Sequence, residues 1–217
     1  GTFRPNPNNS ERLDPFLFVG KPGWDRYDGR TLQGGGSLTQ RFNDDVQLNV
    51  KARYIDSDVT YFTHYANSYS NPTNPYLDPD GRTILLLSQG SYARMNVFST
   101  DNNLLFNFNT GADIEHKLLV GLDYSWNKVS KRDGFGADII DIYDIDYDAL
   151  TIPAIAPGWI AVSQKQLGIY VQDQIRFWDR VSVVVGARRD RVTTSGTAVK
   201  DKATTFRAGI IGDLGAG

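Results

Sequence analysis

An alternation of apolar and polar residues with a period of two returns in segment after segment, and it constrains this chain more than any other feature. From His116 onward, Leu118, Val120, Leu122, Tyr124 and Trp126 fall on one face, and Leu119, Gly121, Asp123, Ser125 and Asn127 on the other. Side chains of a strand point alternately to its two sides, so this spacing predicts a strand with one apolar and one polar face. The same pattern sets Val46, Leu48, Val50, Ala52 and Tyr54 against Gln47, Asn49, Lys51 and Arg53. It also sets Leu167, Ile169, Val171, Ile175 and Phe177 against Gly168, Tyr170, Gln172, Gln174 and Arg176, with Asp173 as a polar intruder on the apolar side. Seven strands are expected, near 30–42, 45–61, 89–110, 116–131, 163–178, 180–194 and 203–213. No segment sustains a helical period, so the chain is predicted to be all-β.

The links between these strands alternate as well. Asn43-Asp44-Asp45, the stretch 110–115 and Trp178-Asp179-Arg180 are tight turns, whereas the links near 62–88 and 132–162 are long. The strands exceed the usual length in a soluble domain, and aromatic residues gather near their ends. Long strands, short turns at one end, long loops at the other and aromatic girdles describe an antiparallel up-and-down transmembrane β-barrel better than a soluble sandwich. Composition agrees. Only 40% of the 217 residues are apolar, about what is needed when one face meets lipid and the other meets water. No run of 18 apolar residues exists to form a membrane helix, a test that β-strands escape.

Several functions fall away on composition. With 23 Lys+Arg against 25 Asp+Glu the chain lacks the basic excess of a nucleic-acid binder. It has no cysteine, which removes disulfides, thiolate zinc sites and cysteine nucleophiles. His64 and His116 are expected on opposite sides of the membrane, too far apart to share a metal or a triad, and no nucleophile motif accompanies them. Asp138, Asp141, Asp144, Asp146 and Asp148 form an acidic run. Ala149 and Ile155 stand where a calcium loop would need glycine and glutamate, so a solvated acidic loop is expected instead. Gly34-Gly35-Gly36 lacks the residues of a phosphate loop and is expected to mark curvature or a close backbone approach.

Taken in order and spacing, several pieces resemble TonB-dependent outer-membrane ferric-siderophore receptors of the ferrichrome or hydroxamate type. They are Pro5-Asn6-Pro7-Asn8, Trp24-Asp25-Arg26-Tyr27-Asp28, Arg41-Phe42-Asn43-Asp44, Arg53-Tyr54, Leu118 to Tyr124, Gly168 to Gln174 and Gly186-Ala187-Arg188-Arg189-Asp190. The resemblance covers an internal section of such a receptor's barrel, about seven of roughly 22 strands. Residues 1–28 would be an extracellular loop and 29–213 the strands, with no counterpart of the plug domain. It implies no catalysis and no covalent cofactor, with an Fe(III)-siderophore as transported ligand. The expected partners are the TonB complex, acting through the plug, and outer-membrane lipid and lipopolysaccharide. The expected location is the bacterial outer membrane. By the same resemblance Tyr61, Phe62, Tyr65 and Phe135 are the expected siderophore contacts, with Trp24, Tyr27 and Trp159 as further loop candidates. A passive porin-like barrel is the alternative. Arg188, Asp190, Gln172, Gln174 and Arg176 are expected to face the lumen and to stabilise the wall.

Overall fold

A computed structural model describes residues 13–178, 180–196 and 200–212. The Pro5–Asn8 motif, residue 179 of the third tight turn and residue 213 lie outside these. Seven antiparallel strands form one sheet in sequence order: β1 (Arg26–Arg41), β2 (Val46–Ala66), β3 (Thr83–Asn109), β4 (Ile114–Asp141), β5 (Ile160–Phe177), β6 (Val181–Thr194) and β7 (Lys200–Gly212). No helix occurs among the described residues. The stretch Leu13–Gly20 forms no strand, as Pro15 suggests.

The tight turns close through their own polar groups. Asn43 Oδ1 accepts from the backbone N–H of Asp45 and Val46, at 3.0 and 2.7 Å. Gly111 supplies a φ of 103° between β3 and β4. At the β5–β6 turn Trp178 adopts a φ of 46° and donates its backbone N–H to Asp113 O at 3.0 Å.

By density of contacts the residues divide into two units. The second holds 31–57, 95–129 and 161–217, and its strands have two distinct faces. The strand register sets three rows on the apolar face: Val171–Ala187–Phe206, Asp173–Val185–Ala208 and Ile175–Val183–Ile210. These side chains are open rather than packed in a core, with Ile169 55% exposed and Val171 43%. Leu167 to Phe177 covers about 33 Å of strand, which at a tilt near 40° rises about 25 Å, the height of a lipid-facing apolar band. Asp173 does not sit alone in that band. His116, on the same face of β4, donates from Nδ1 to Asp173 Oδ2 at 2.7 Å, stacks on Phe108 at 4.7 Å and meets Thr110 Oγ1 through Nε2 at 2.8 Å.

On the opposite face, polar side chains reach across whole strands. Arg188 of β6 passes over Gly168 of β5 and donates to Asp123 of β4 at 2.6 and 3.0 Å, while also holding Asp190 of its own strand. Tyr170 of β5 passes over Gly121 of β4 and donates to Asp101 of β3 at 2.7 Å. Each glycine is required for the close approach: a Cβ at Gly168 would fall on the Arg188 guanidinium, and one at Gly121 on the Tyr170 ring. Thr39, Asn49 and Asn103 continue the network across β1, β2 and β3. Gly35, the middle glycine of the triplet, packs against Ala52 O and Arg53, while Gly34 and Gly36 face open space.

The first unit holds residues 1–30, 58–94 and 130–160. It has a buried core of Ile84, Leu86, Ile140, Ile142 and Leu150, with Leu13, Leu17, Val19, Tyr76 and Tyr147 packed around it. β2, β3 and β4 extend beyond their expected ends, to 66, back to 83 and to 141. Ile84-Leu85-Leu86-Leu87 has no alternation to announce a strand, because loop residues bury a face that would otherwise be polar.

Overpacking decides the first prediction. Gly121→Ala in the intact protein should cost about 1–3 kcal/mol by driving Tyr170 off Asp101. Gly36→Ala, with open space at its Cβ, should change stability by less than about 0.5 kcal/mol. Denaturant titration of the folded, detergent-solubilised barrel reads both.

Candidate functional site

The first unit carries the residues expected to meet a ligand, and it has a covered and an open face. On the covered face Phe62 is only 7% exposed. Its ring stacks on Trp24 at 4.9 Å, meets Tyr92 edge-on at 5.2 Å and lies under the Arg26 guanidinium at 4.8 Å. Phe62, expected as a ligand contact, is therefore enclosed by packing. Trp24, expected as a further loop candidate, is part of what encloses it.

His64 lies beside them with its side chain fully buried. Asp25 organises this corner: Oδ1 accepts from His64 Nδ1 at 2.6 Å and from the Lys21 backbone N–H at 3.1 Å, and Oδ2 accepts from the His64 backbone N–H at 2.8 Å. His64 Nε2 donates to the Thr151 carbonyl at 3.1 Å. Both ring nitrogens thus face oxygen atoms of the protein. Lys21 Nζ donates to the carbonyls of Tyr147, Asp148 and Leu150 at 2.7, 3.2 and 3.1 Å. Together the two side chains fasten the turn before β1 to β2 and to the β4–β5 loop.

Part of the acidic run is spent on structure, while Asp144, Asp146 and Asp148 stay exposed to water as expected. Asp138 accepts from the Thr151 hydroxyl and backbone N–H at 2.6 and 3.0 Å. Asp141 accepts from Arg82 at 2.9 Å, and Asp146 caps the backbone N–H groups of Asp148 and Ala149. Among the described residues no three metal-ligating side chains gather into a candidate metal site.

The open face holds the other expected aromatics. Tyr61 is 37% and Phe135 67% exposed. Tyr65 is half-buried. Tyr27, strongly exposed, meets Tyr61 edge-on at 5.8 Å. Strand parity places Tyr61 and Tyr65 on one face of β2 and Phe62 on the other, the signal that separates them in the sequence. Phe135 sits between Gly134, which packs against the Ala154 carbonyl, and Gly136, which packs against Ser88. The glycines let the β4–β5 loop close on one side of the strand while the ring projects from the other. Trp159 takes the Arg94 guanidinium at 4.6 Å and that of Arg132 at 5.2 Å.

Residues 1–211 match the profile of the TonB-dependent receptor-like β-barrel, and the chain belongs to that family. The Ferrioxamine B receptor of Salmonella typhimurium (strain SL1344) is 30% identical over 196 residues, covering 87% of this chain and 26% of that protein. The Ferrichrome outer membrane transporter/phage receptor of Escherichia coli (strain K12) is 29% identical, covering 97% of this chain and 31% of its own. Among solved structures, the open form of the Ferric-Catecholate import receptor Fiu from E. coli K12 superposes with a TM-score of 0.67 at 17% identity, over 94% of this chain and 35% of that one. The last likeness concerns fold alone. The chain spans about a quarter to a third of the length of these relatives. Members of the family are transporters and receptors, carried by barrels of the outer membrane.

Acid should loosen one loop selectively. Asp78, between β2 and β3, accepts from the backbone N–H and hydroxyl of Thr83, both at 2.7 Å, and from the Arg82 N–H at 3.1 Å. These bonds hold its carboxyl below the ordinary value of 3.8. A depressed folded value means the stabilisation is complete above about 3.8 and is lost as pH falls through the lower one. Hydrogen exchange at the Thr83 amide should stay protected from neutral pH to about pH 4 and open only as pH falls on through the lowered folded value. In Asp78→Ala it should be open at neutral pH as well.

Proposed function

We propose that this chain is an internal section of the barrel of an outer-membrane receptor that binds an Fe(III)-siderophore outside the cell and imports it in a TonB-dependent manner. The observation that carries the reading is the family match over residues 1–211. Relatives named for ferrioxamine B, ferrichrome and pyoverdine support it. In this reading β1 and β7 pair along their outer edges with further strands of a barrel of about 22, and the segment before β1, residues 13–25 rather than up to 28 because β1 begins at Arg26, belongs to an extracellular loop. The protein supplies shape and surface and does no covalent chemistry.

Tyr61, Tyr65 and Phe135 are the proposed ligand contacts. Exposed rings on a fixed strand give a bulky chelate a large contact area with little rotamer entropy to lose. Phe62 supports them from behind, holding Trp24 and the segment before β1 against the strand. The iron arrives already wrapped by its chelator, so the contacts needed are aromatic and polar rather than metal-ligating.

Lipopolysaccharide is the proposed lipid partner. On the apolar face of β5 to β7 the register stacks Lys165–Thr193–Lys200, Leu167–Arg191–Lys202 and Ile169–Arg189–Thr204 on the apolar rows. Five cations at one edge of a lipid-facing band suit the phosphate groups of an anionic lipid.

Tyr61→Ala and Phe135→Ala in the intact receptor should each weaken binding of its ferric hydroxamate by about tenfold, roughly 1.4 kcal/mol, with a Phe62→Leu control left within about threefold. Equilibrium binding to whole cells reads this, and unchanged affinity in both alanine variants would remove the site. Arg191→Ala with Lys202→Ala should lower the lipopolysaccharide phosphate that copurifies with the receptor, without changing siderophore affinity.

A further inference from the structure

Tyr61, Tyr65 and Phe135 stand on β2 and β4, and the strand between them sets one further side chain in the middle of the rings. The Asn67 backbone N–H donates to Leu85 O at 2.8 Å, and that of Ile142 to Arg82 O at 2.9 Å. These bonds pair β2 with β3 and β3 with β4 in a single antiparallel register. Side-chain contacts agree with it: Arg94 meets Asp58 at 3.2 Å, the Arg132 guanidinium lies over Tyr92, and Ser88 packs against Gly136. Counted along that register, Gln89 of β3 stands between Thr63 of β2 and Phe135 of β4, on the open face. Tyr61 and Tyr65 are its diagonal neighbours on β2, about 7–8 Å away and within reach of a long side chain.

The polar groups beside Gln89 are spent or hidden. The Thr63 hydroxyl turns to the His64 carbonyl at 3.4 Å, and Ser91 is only 4% exposed. Lys131 and Asp133, on the same face of β4, hold each other at 2.7 Å. Gln89 itself is half-buried, and among the described residues its carboxamide has no hydrogen-bond partner. Its neighbours set it apart from other unpartnered polar side chains of the wall, because both flanking strands are present and they surround it with the three rings. Rings give a ligand contact area but little direction, whereas a hydrogen-bonding group among them fixes orientation. In a ferric trihydroxamate the three hydroxamates cancel the charge of the iron and leave acceptor oxygens on the outside of the core. A neutral amide N–H answers such oxygens without the desolvation cost of a bare charge.

We propose that Gln89 is the orienting hydrogen-bond donor of the siderophore site, its carboxamide N–H groups directed to oxygens of a ferric trihydroxamate held against Tyr61, Tyr65 and Phe135. The inference rests on the proposed receptor function and deepens it, placing the polar anchor of the ligand on β3, a strand that carries none of the aromatic contacts.

The test uses the intact receptor in cells, with ⁵⁵Fe-labelled ferrichrome and ferrioxamine B as probes, comparing wild type, Gln89→Leu and Gln89→Asn at matched surface amounts. Binding to de-energised cells should weaken about five- to tenfold in the leucine variant, which keeps the bulk and loses the donor. It should weaken less in the asparagine variant, which keeps the amide on a shorter stem. Energised uptake at saturating chelate should stay within about twofold of wild type in both, as expected of a group that holds the ligand and does not drive its import. Wild-type affinity in Gln89→Leu would overturn the assignment and leave the receptor reading standing. Weakened binding accompanied by new permeability to large antibiotics would also overturn it, because Gln89 would then be holding the contents of the barrel rather than the ligand. If wild type reached the surface folded and bound neither probe, the receptor reading would fail and the role of Gln89 with it.

Discussion

A strand crossing lipid has no water to satisfy its backbone, so every N–H and C=O must be met by the neighbouring strand. The rest of this structure depends on that constraint. It accounts for seven strands lying beside one another in sequence order, for tight turns closed by Asn43 and Gly111, and for the absence of helix among the described residues. With the backbone committed to the ladder, side chains do the remaining work and divide by parity. One set, Ile169, Val171, Val183 and Ile210 among them, stays exposed in a way that would be costly in water and is favourable in lipid.

The other face solves a different problem, that of placing charge on a wall without leaving it unpaired. Arg188 and Tyr170 lie flat across a neighbouring strand, and Gly168 and Gly121 give them the room. Removing one partner from such a network costs more than making it ever gained, because the group left behind is only partly solvated. The same rule explains the oddest pair in the protein. Asp173 faces the apolar side and is met by His116, whose ring is held by Phe108 and Thr110. The buried Asp25–His64 pair and the Lys21 ammonium do a similar service for the loops of the first unit.

Much of the fold was legible in the sequence because period two is a local signal. All seven strands, the tight turns and the polar face carrying Arg188 and Asp190 follow from parity. What escaped depends on register between strands or on packing from loops. Asp173 reads as an intruder until β4 is set beside β5 and His116 arrives opposite. Gly121 and Gly168 read as weak strand residues until the side chains above them are known. Phe62 and Tyr61 are adjacent aromatics in one loop-ward strand: parity sets them on opposite faces, and packing from the loops decides which face is enclosed. The alternation stops short of the start of β3 and the end of β4, where the strands meet loop residues rather than lipid. The acidic run is a solvated loop at Asp144, Asp146 and Asp148, and what the sequence hides is that Asp138 and Asp141 meet Thr151 and Arg82 from other segments.

The central claim is that alternate residues of these strands face lipid and a hydrated lumen. Single cysteines introduced from 166 to 175 and from 182 to 190 of the intact, membrane-embedded protein, with any cysteine outside these 217 cysteine-free residues replaced, can be spin-labelled one at a time. Collision rates with oxygen and with a water-soluble nickel complex should then alternate residue by residue. Oxygen should dominate at 167, 169, 171, 183 and 185, and nickel at 166, 170, 172, 182 and 186. Equal access on both faces, or a period other than two, would contradict the account.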